Sequence, residues 1–150
     1  MRFKTCINYL LTASQHEVFG LLSDRLSQYG VTPGQYGVLS YLWEKEQANP
    51  KDLARELSLE NSTISGVLDR MQKKGLIDRL LDPDDRRSIQ VVLTPAGRAL
   101  EADVLRAVDE VNEEVLSRFD PETAETLIRC LQKIADTRAP EREEEELPKN

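Results

Sequence analysis

The sequence predicts a mainly α-helical fold carrying one small β wing, and three observations predict it. Four segments open on a capping residue followed by proline: Thr32-Pro33, Asn49-Pro50, Thr94-Pro95 and Asp120-Pro121. Such a pair satisfies a free N–H of the first helical turn and presets the backbone of the next residue. Apolar residues then recur at three- and four-residue steps, the period of a helix with one buried side. Residues 77–93 break that period: Ile89, Val91 and Leu93 alternate with Ser88 and Gln90, the two-residue repeat of a strand.

The elements follow in order. Residues 4–29 carry Ile7, Leu10, Leu11, Val18, Leu21, Leu22 and Leu26 at helical spacing, and Gly30 is the stop. A second helix begins at Thr32-Pro33, with Tyr36, Leu39, Leu42 and Trp43 on its buried side. A short third one begins at Asn49-Pro50 and turns Leu53, Ala54 and Leu57 inward. A fourth follows after a very short connection, with the apolar stripe Ile64, Val67, Leu68 and Met71, and closes at Gly75. Ile77–Leu81 and Ser88–Leu93 read as strands, joined by a turn in which Asp82-Pro83 suits the first two positions of a type I turn. A long helix from Thr94-Pro95 buries Leu100, Val104, Val108, Val111 and Val115, and a last one starts at Asp120-Pro121. The tail from Ala139, APEREEEELPKN, has no apolar period and is expected to be disordered.

The bulk numbers exclude several function classes. At 150 residues, 39% hydrophobic and 31% charged, the chain suits one globular module with a real core. Aromatics at 5% argue against a base-stacking platform for single strands. Cys6, Cys130 and the lone His16 have no metal-ligand spacing, so no metal or cofactor is expected, and a reducing cytoplasm is the simplest compartment. The start, MRFKTCINYLLTAS, has basic residues and then a short apolar run, but Asn8 interrupts it and the helical pattern continues. No apolar stretch approaches the ~20 residues of a membrane span. No nucleophile–base pair or glycine-rich phosphate loop is present, so no catalytic residue is assigned and an enzyme is not expected.

Charge is unevenly spread. The net charge is −7, yet residues 61–98 hold seven Lys/Arg against five Asp/Glu, while residues 100–126 hold two arginines against nine acids. One locally basic face is therefore compatible with an acidic chain. Residues 49–77 form a helix-turn-helix candidate, and the hairpin directly after it makes the unit a winged helix. In such a unit the second helix enters the DNA major groove, and a wing-tip arginine suits the negative minor groove. Asn61, Ser62, Thr63 and Ser65 are small and polar at the start of the second helix, where free N–H groups approach phosphates or base edges. Gly66 lacks a side chain where backbones come close, and Arg70, Lys73 and Lys74 reach toward phosphates. Helix capping is the plainer reading of Ser62 or Thr63. For Asp82, Asp84 and Asp85 beside Arg86 and Arg87, it is that the acids shape the turn.

The run STISGVLDRMQKKGLIDRLLDPDDRRSIQVVLTPAGRAL resembles the MarR family, the multiple-antibiotic-resistance type of regulator, and the resemblance covers about residues 5–136. The family's wing pattern is met by Asp85, Arg86 and Arg87, then Leu93-Thr94, and its Leu-Asp-Arg-Leu by Leu68 to Met71. The resemblance implies a winged helix-turn-helix flanked by long N- and C-terminal dimerisation helices. It divides the chain into an N-terminal dimerisation helix at 1–30, the DNA-binding domain at 31–94, C-terminal dimerisation helices at 95–138 and the acidic tail at 139–150. It implies a homodimer on a pseudo-palindromic double-stranded DNA operator, more often a repressor, released by a small ligand or by cysteine oxidation. Arg87 would enter the minor groove and Arg86 lie on the backbone. Asp69 and Asp85 would position them, Asp69 by pairing with the wing arginine. A small aromatic or phenolic effector would bind near His16, Tyr36, Tyr41 or Trp43.

Other readings remain beside this one. One branch of the family senses hydroperoxides through a cysteine in a Cys-Phe-x-Leu-Tyr setting, but here the text is CINYLLTAS and Pro33 stands where a partner tyrosine is expected. Cys130 beside Leu127 and Leu131 reads as packing. A winged helix used only for protein interaction is the alternative from another class, and the basic wing argues against it.

Overall fold

The computed structural model describes residues 1–85 and 87–136. Arg86 and the acidic tail lie outside the described residues. After a 3-10 turn at Arg2–Thr5 come α1 (Ile7–Ser27), α2 (Pro33–Lys45), β1 (Gln47–Ala48), α3 (Pro50–Glu56) and α4 (Asn61–Lys73). Then follow β2 (Ile77–Leu81), β3 (Ile89–Leu93), α5 (Pro95–Ala99), α6 (Glu101–Leu116) and α7 (Pro121–Ala135). The architecture is the expected one, helical with a small β wing.

The capping residues act as their chemistry dictates. The side chains of Thr32, Asn49, Thr94 and Asp120 accept the N–H of Gln35, Asp52, Gly97 and Thr123 respectively. Gln35 also accepts the Thr32 N–H, completing a capping box. Gly30 and Gly75 have φ of +66° and +74°, and the next residue's N–H reaches back to Leu26 and Met71 respectively. This is the left-handed glycine stop of a helix. Ser58 plays the same part after α3: φ is +56° and the Leu59 N–H bonds the Ala54 carbonyl. A serine there carries the left-handed penalty without glycine's freedom. Ser58→Gly should therefore raise the urea midpoint, by about 0.5–1 kcal/mol of stability. A lowered midpoint would show that the serine is not strained.

Asp120 is a pH-sensitive cap. Hydrogen bonds from the Thr123 side chain and backbone hold its carboxyl below the ordinary value of 3.8. A depressed folded pKa contributes stability above the unfolded value and loses it as pH falls through the folded one. Asp120→Asn should therefore narrow the stability gap to wild type as pH drops below about 4. Parallel acid melts followed by circular dichroism would reveal a constant gap if the carboxylate were uninvolved.

Three elements differ from expectation. The two-residue β1 was not foreseen; it pairs antiparallel with β3 through Gln47–Val92 and Ala48–Val91, giving the sheet order β1-β3-β2. The long helix from Pro95 is broken at Leu100 into α5 and α6. The third is α1. Of its seven marked apolar residues only Leu26 is buried, while Ile7 is 62% and Leu10 42% exposed. The spacing of α1 is helical, but its face is not covered within the described chain.

Two compact units result, one of residues 1–112 and one beginning at Glu113, within the last turn of α6. The core of the first is Leu26, Val38, Leu39, Leu42, Leu53, Ile64, Leu68, Met71, Ile77, Val91 and Val104, all fully buried. All four stripe residues of α4 belong to this core or its edge, so the opposite, polar side of α4 must face out. The described part of the second unit holds α7, which has no buried residue. Among the described residues, no helix is long and apolar enough to cross a membrane, and no cluster of His, Cys, Asp and Glu could hold a metal ion.

Candidate nucleic-acid interface

The start of α4 is open. Glu60 stands at the N-cap but makes no capping bond, and neither Ser62 nor Thr63 caps the helix. The first N–H groups of a helix have no partner within it, so this end presents donors to solvent. Asn61, Ser62, Thr63 and Ser65 are exposed around it. Their small side chains let a phosphate or a base edge come close. Arg70 is exposed one turn further on; its guanidinium lies over Gly66, 3.4 Å from where a Cβ would be. Gly66 thus gives room to Arg70 as well as to anything approaching from outside.

The acids of the wing are turn-formers. Asp82 Oδ1 accepts the Asp84 N–H at 2.9 Å, and Asp82 Oδ2 accepts the Gln90 amide at 3.3 Å. The Asp82 N–H bonds the Ser88 carbonyl, closing the hairpin. Asp85 Oδ1 accepts the Arg87 N–H at 3.0 Å. Asp85 therefore shapes the backbone on which Arg87 sits, by an Asx turn. Among the described residues the Arg87 guanidinium has no ion-pair partner. It lines a cleft of about 460 Å³ together with Asp85, Ser88, Ile89 and, from α3, Pro50 and Lys51.

The expected pairing of Asp69 with the wing arginine is corrected by the structure. Asp69 Oδ1 accepts from Arg79 Nη2 at 2.6 Å, and Arg79 Nε donates to Gln72 at 2.7 Å. Arg79 lies mid-way along β2, which follows α4 almost directly, whereas Arg87 is beyond the far end of that strand in the turn. Asp69 and Gln72 are one turn apart on α4, so they grip one guanidinium from the same side. The link fastens the reading helix to the base of the wing. A double-mutant cycle on Asp69→Ala and Arg79→Ala should give a coupling of ~0.2–1 kcal/mol, the range for a partly exposed pair. Additive losses would deny the link.

Lys74 makes its bonds within the protein. It was expected on a phosphate, but its Nζ donates to the Gly30 carbonyl at 2.7 Å and to Gln35 Oε1 at 3.0 Å. Lys73 remains exposed, beside a cleft shared with Asp69, Gln72 and Arg79. Lys51 and Arg79 were missed. Both line a further cleft of about 320 Å³ with Asn61, Ser65 and Ile89. The alternation in β2 carried a sign of Arg79, which shares the side of Ile77. Nothing local distinguished Lys51 from any surface lysine.

Of the residues expected around an effector, His16 is exposed on α1, and Tyr36, Tyr41 and Trp43 are half-buried against the core. The Trp43 ring N–H donates to the Gly97 carbonyl at 3.1 Å, so this side chain is part of the packing. Cys130, read as packing, is exposed, as is Cys6.

An uncapped polar helix end beside a hairpin that carries an exposed arginine is an arrangement that reads duplex DNA. Residues 31–89 match the model of the MarR family. The multiple antibiotic resistance protein MarR of Salmonella typhimurium is 32% identical over 115 residues, 76% of this chain and 80% of that protein. The chain belongs to the MarR family. A crystal structure of a MarR mutant from E. coli complexed with operator DNA superposes with a TM-score of 0.79 at 26% identity, covering 85% of this chain and 92% of that one. CouR from Rhodococcus jostii, bound to p-coumaroyl-CoA, superposes with a TM-score of 0.78 at 28% identity, covering 93% and 98%. As a MarR-family protein, the chain is a DNA-binding transcriptional regulator and not an enzyme.

Proposed function

We propose that this MarR-family regulator works as a homodimeric repressor on a pseudo-palindromic operator and is released by a small aromatic or phenolic ligand. The carrying observation is the apolar surface on the outer helices. In α1, Ile7 and Leu10 are exposed. In α7, Ile128 (41%), Leu131 (43%) and Ile134 (49%) are exposed at helical spacing. A fifteen-residue helix with no buried side chain is marginal in water on its own. An amphipathic helix of this kind needs a second surface, and a two-fold related copy supplies one. Two winged helices in a dimer would then address two half-sites about one DNA turn apart.

Within each half, Asn61, Ser62, Thr63 and Ser65 would face the major groove. Arg70, Lys73 and Lys51 would take phosphates, and Arg87 the minor groove. Arg86, outside the described residues, retains its proposed place on the backbone. The ligand reading is supported by the p-coumaroyl-CoA held by CouR. His16, Tyr36 and Tyr41 are its proposed neighbours, while Trp43 serves packing.

The test has two parts. Light scattering should give twice the chain mass of 17.1 kDa. A genome-wide pull-down of DNA fragments at moderate salt, with sequencing, should enrich one palindromic site. Added phenolic acids and their thioesters should then reduce that enrichment. A folded monomer, or a dimer that enriches no site and responds to no ligand, would move the reading to a protein-interaction module.

A further inference from the structure

The Lys74 amino group is engaged within the fold. Lys74 is the last residue of the reading helix region, directly before the Gly75 stop, and its amino group crosses to the other glycine stop, at the end of α1. There Nζ meets the Gly30 carbonyl at 2.7 Å and Gln35 Oε1 at 3.0 Å. The Gln35 oxygen also accepts the Thr32 N–H at 3.2 Å, and Gln35 is 2% exposed. A cation on a buried amide oxygen and a backbone carbonyl makes charge-assisted bonds, stronger and more directional than neutral ones. One lysine therefore ties together the end of α4, the turn after α1 and the capping box of α2.

The place of that knot is the point of interest. Gly30 has φ of +66° and is where the chain leaves α1 for the DNA-reading module. Rotation there, within the limits that Leu26 sets in the core it shares with α4, would swing α4 relative to α1. The Arg25–Glu110 ion pair at 2.6 Å joins α1 to α6 just before it, so the base on which α4 would swing is itself braced. Lys74 spans the joint from the reading-helix side.

We propose that Lys74 is a positioning residue that sets the separation of the two reading helices in the bound regulator, by fixing α4 to the end of α1. The proposal rests on the dimer reading above. It places the lysine's effect on half-site spacing. A phosphate contact would instead change affinity for every duplex alike.

The experiment uses the full chain and the site recovered by the pull-down, together with duplexes whose half-sites are moved one or two base pairs closer or further apart. Lys74→Met keeps the aliphatic stem and removes the donors. It should lose about tenfold in affinity at the natural spacing, the scale of coupling within one hydrogen-bond network, and lose little at the altered spacings. The spacing preference should flatten while the salt slope stays as in wild type. Lys74→Arg, which retains the charge and the reach, should restore part of the preference, and its thermal melt controls for folding. Equal loss at all spacings with a salt slope reduced by about one would identify a phosphate contact and overturn the proposal. An unchanged preference in Lys74→Met would overturn it alone. A wild-type protein indifferent to spacing would overturn it together with the dimer reading.

Discussion

Gly97→Ala should destabilise the protein by about 3 kcal/mol, the upper part of the usual range for overpacking. A Cβ at this position would lie 2.2 Å from the carbonyl oxygen of Leu76 and 3.1 Å from a methyl of Leu93. The first of these is backbone and cannot rotate away. That oxygen already accepts the Thr94 N–H at 3.1 Å. Thr94 in turn donates to the Gly75 carbonyl at 2.6 Å and caps α5 through the Gly97 N–H. On its other side the Gly97 carbonyl receives Trp43. The end of α4, the start of β2, the end of β3, α5 and α2 therefore meet at one glycine, and displacing it strains all of them. A loss of this size is about a fifth to three-fifths of a typical domain's stability. Gly20→Ala is the control. Nothing lies within 4 Å of a Cβ there, so it should stabilise α1 by roughly 0.5–1 kcal/mol. Urea melts of the two variants should move in opposite directions, and a wild-type midpoint for Gly97→Ala would deny the close approach.

Arg87→Ala should weaken operator binding by about 1–3 kcal/mol while leaving the oligomeric mass unchanged. The guanidinium is not tied up within the described protein, and the Asp85 turn fixes the backbone that carries it. An arginine offered in this manner gains from the enhanced negative potential of a narrow minor groove. Asp85→Ala should produce a smaller loss, since it removes only the restraint on the turn. Fluorescence anisotropy at several salt concentrations would measure both. Unchanged affinity in Arg87→Ala would take the wing out of the interface.

Much of the architecture was legible because its causes are local. A threonine, asparagine or aspartate before proline starts a helix by bonding an N–H three residues on, and four of the five such pairs did so; the fifth, Asp82-Pro83, lies in the hairpin turn, where Asp82 accepts the Asp84 N–H instead. The stripe Ile64, Val67, Leu68 and Met71 oriented α4 correctly because the period of a helix leaves only one buried side. The hairpin followed from alternation and from Asp82-Pro83. The candidate site was legible to the same depth: the polar start of α4 and the exposed Arg87 could be read from neighbours in the chain.

The sequence by itself therefore determined the main element types other than β1, their order, the buried side of α4 and the arginine-bearing hairpin. The tertiary structure alone decided who partners whom. Asp69 took Arg79 and not Arg87. Lys74 turned inward to Gly30, forty-four residues away in the chain. Trp43 found Gly97 at a separation of fifty-four, and β1 became a strand only because β3 passed beside it. Capping and periodicity act within one or two helical turns, where covalent geometry fixes the distances. A hydrogen bond between distant residues depends on a few tenths of an ångström set by the packing of the whole core, and that information is held in no single stretch of the chain.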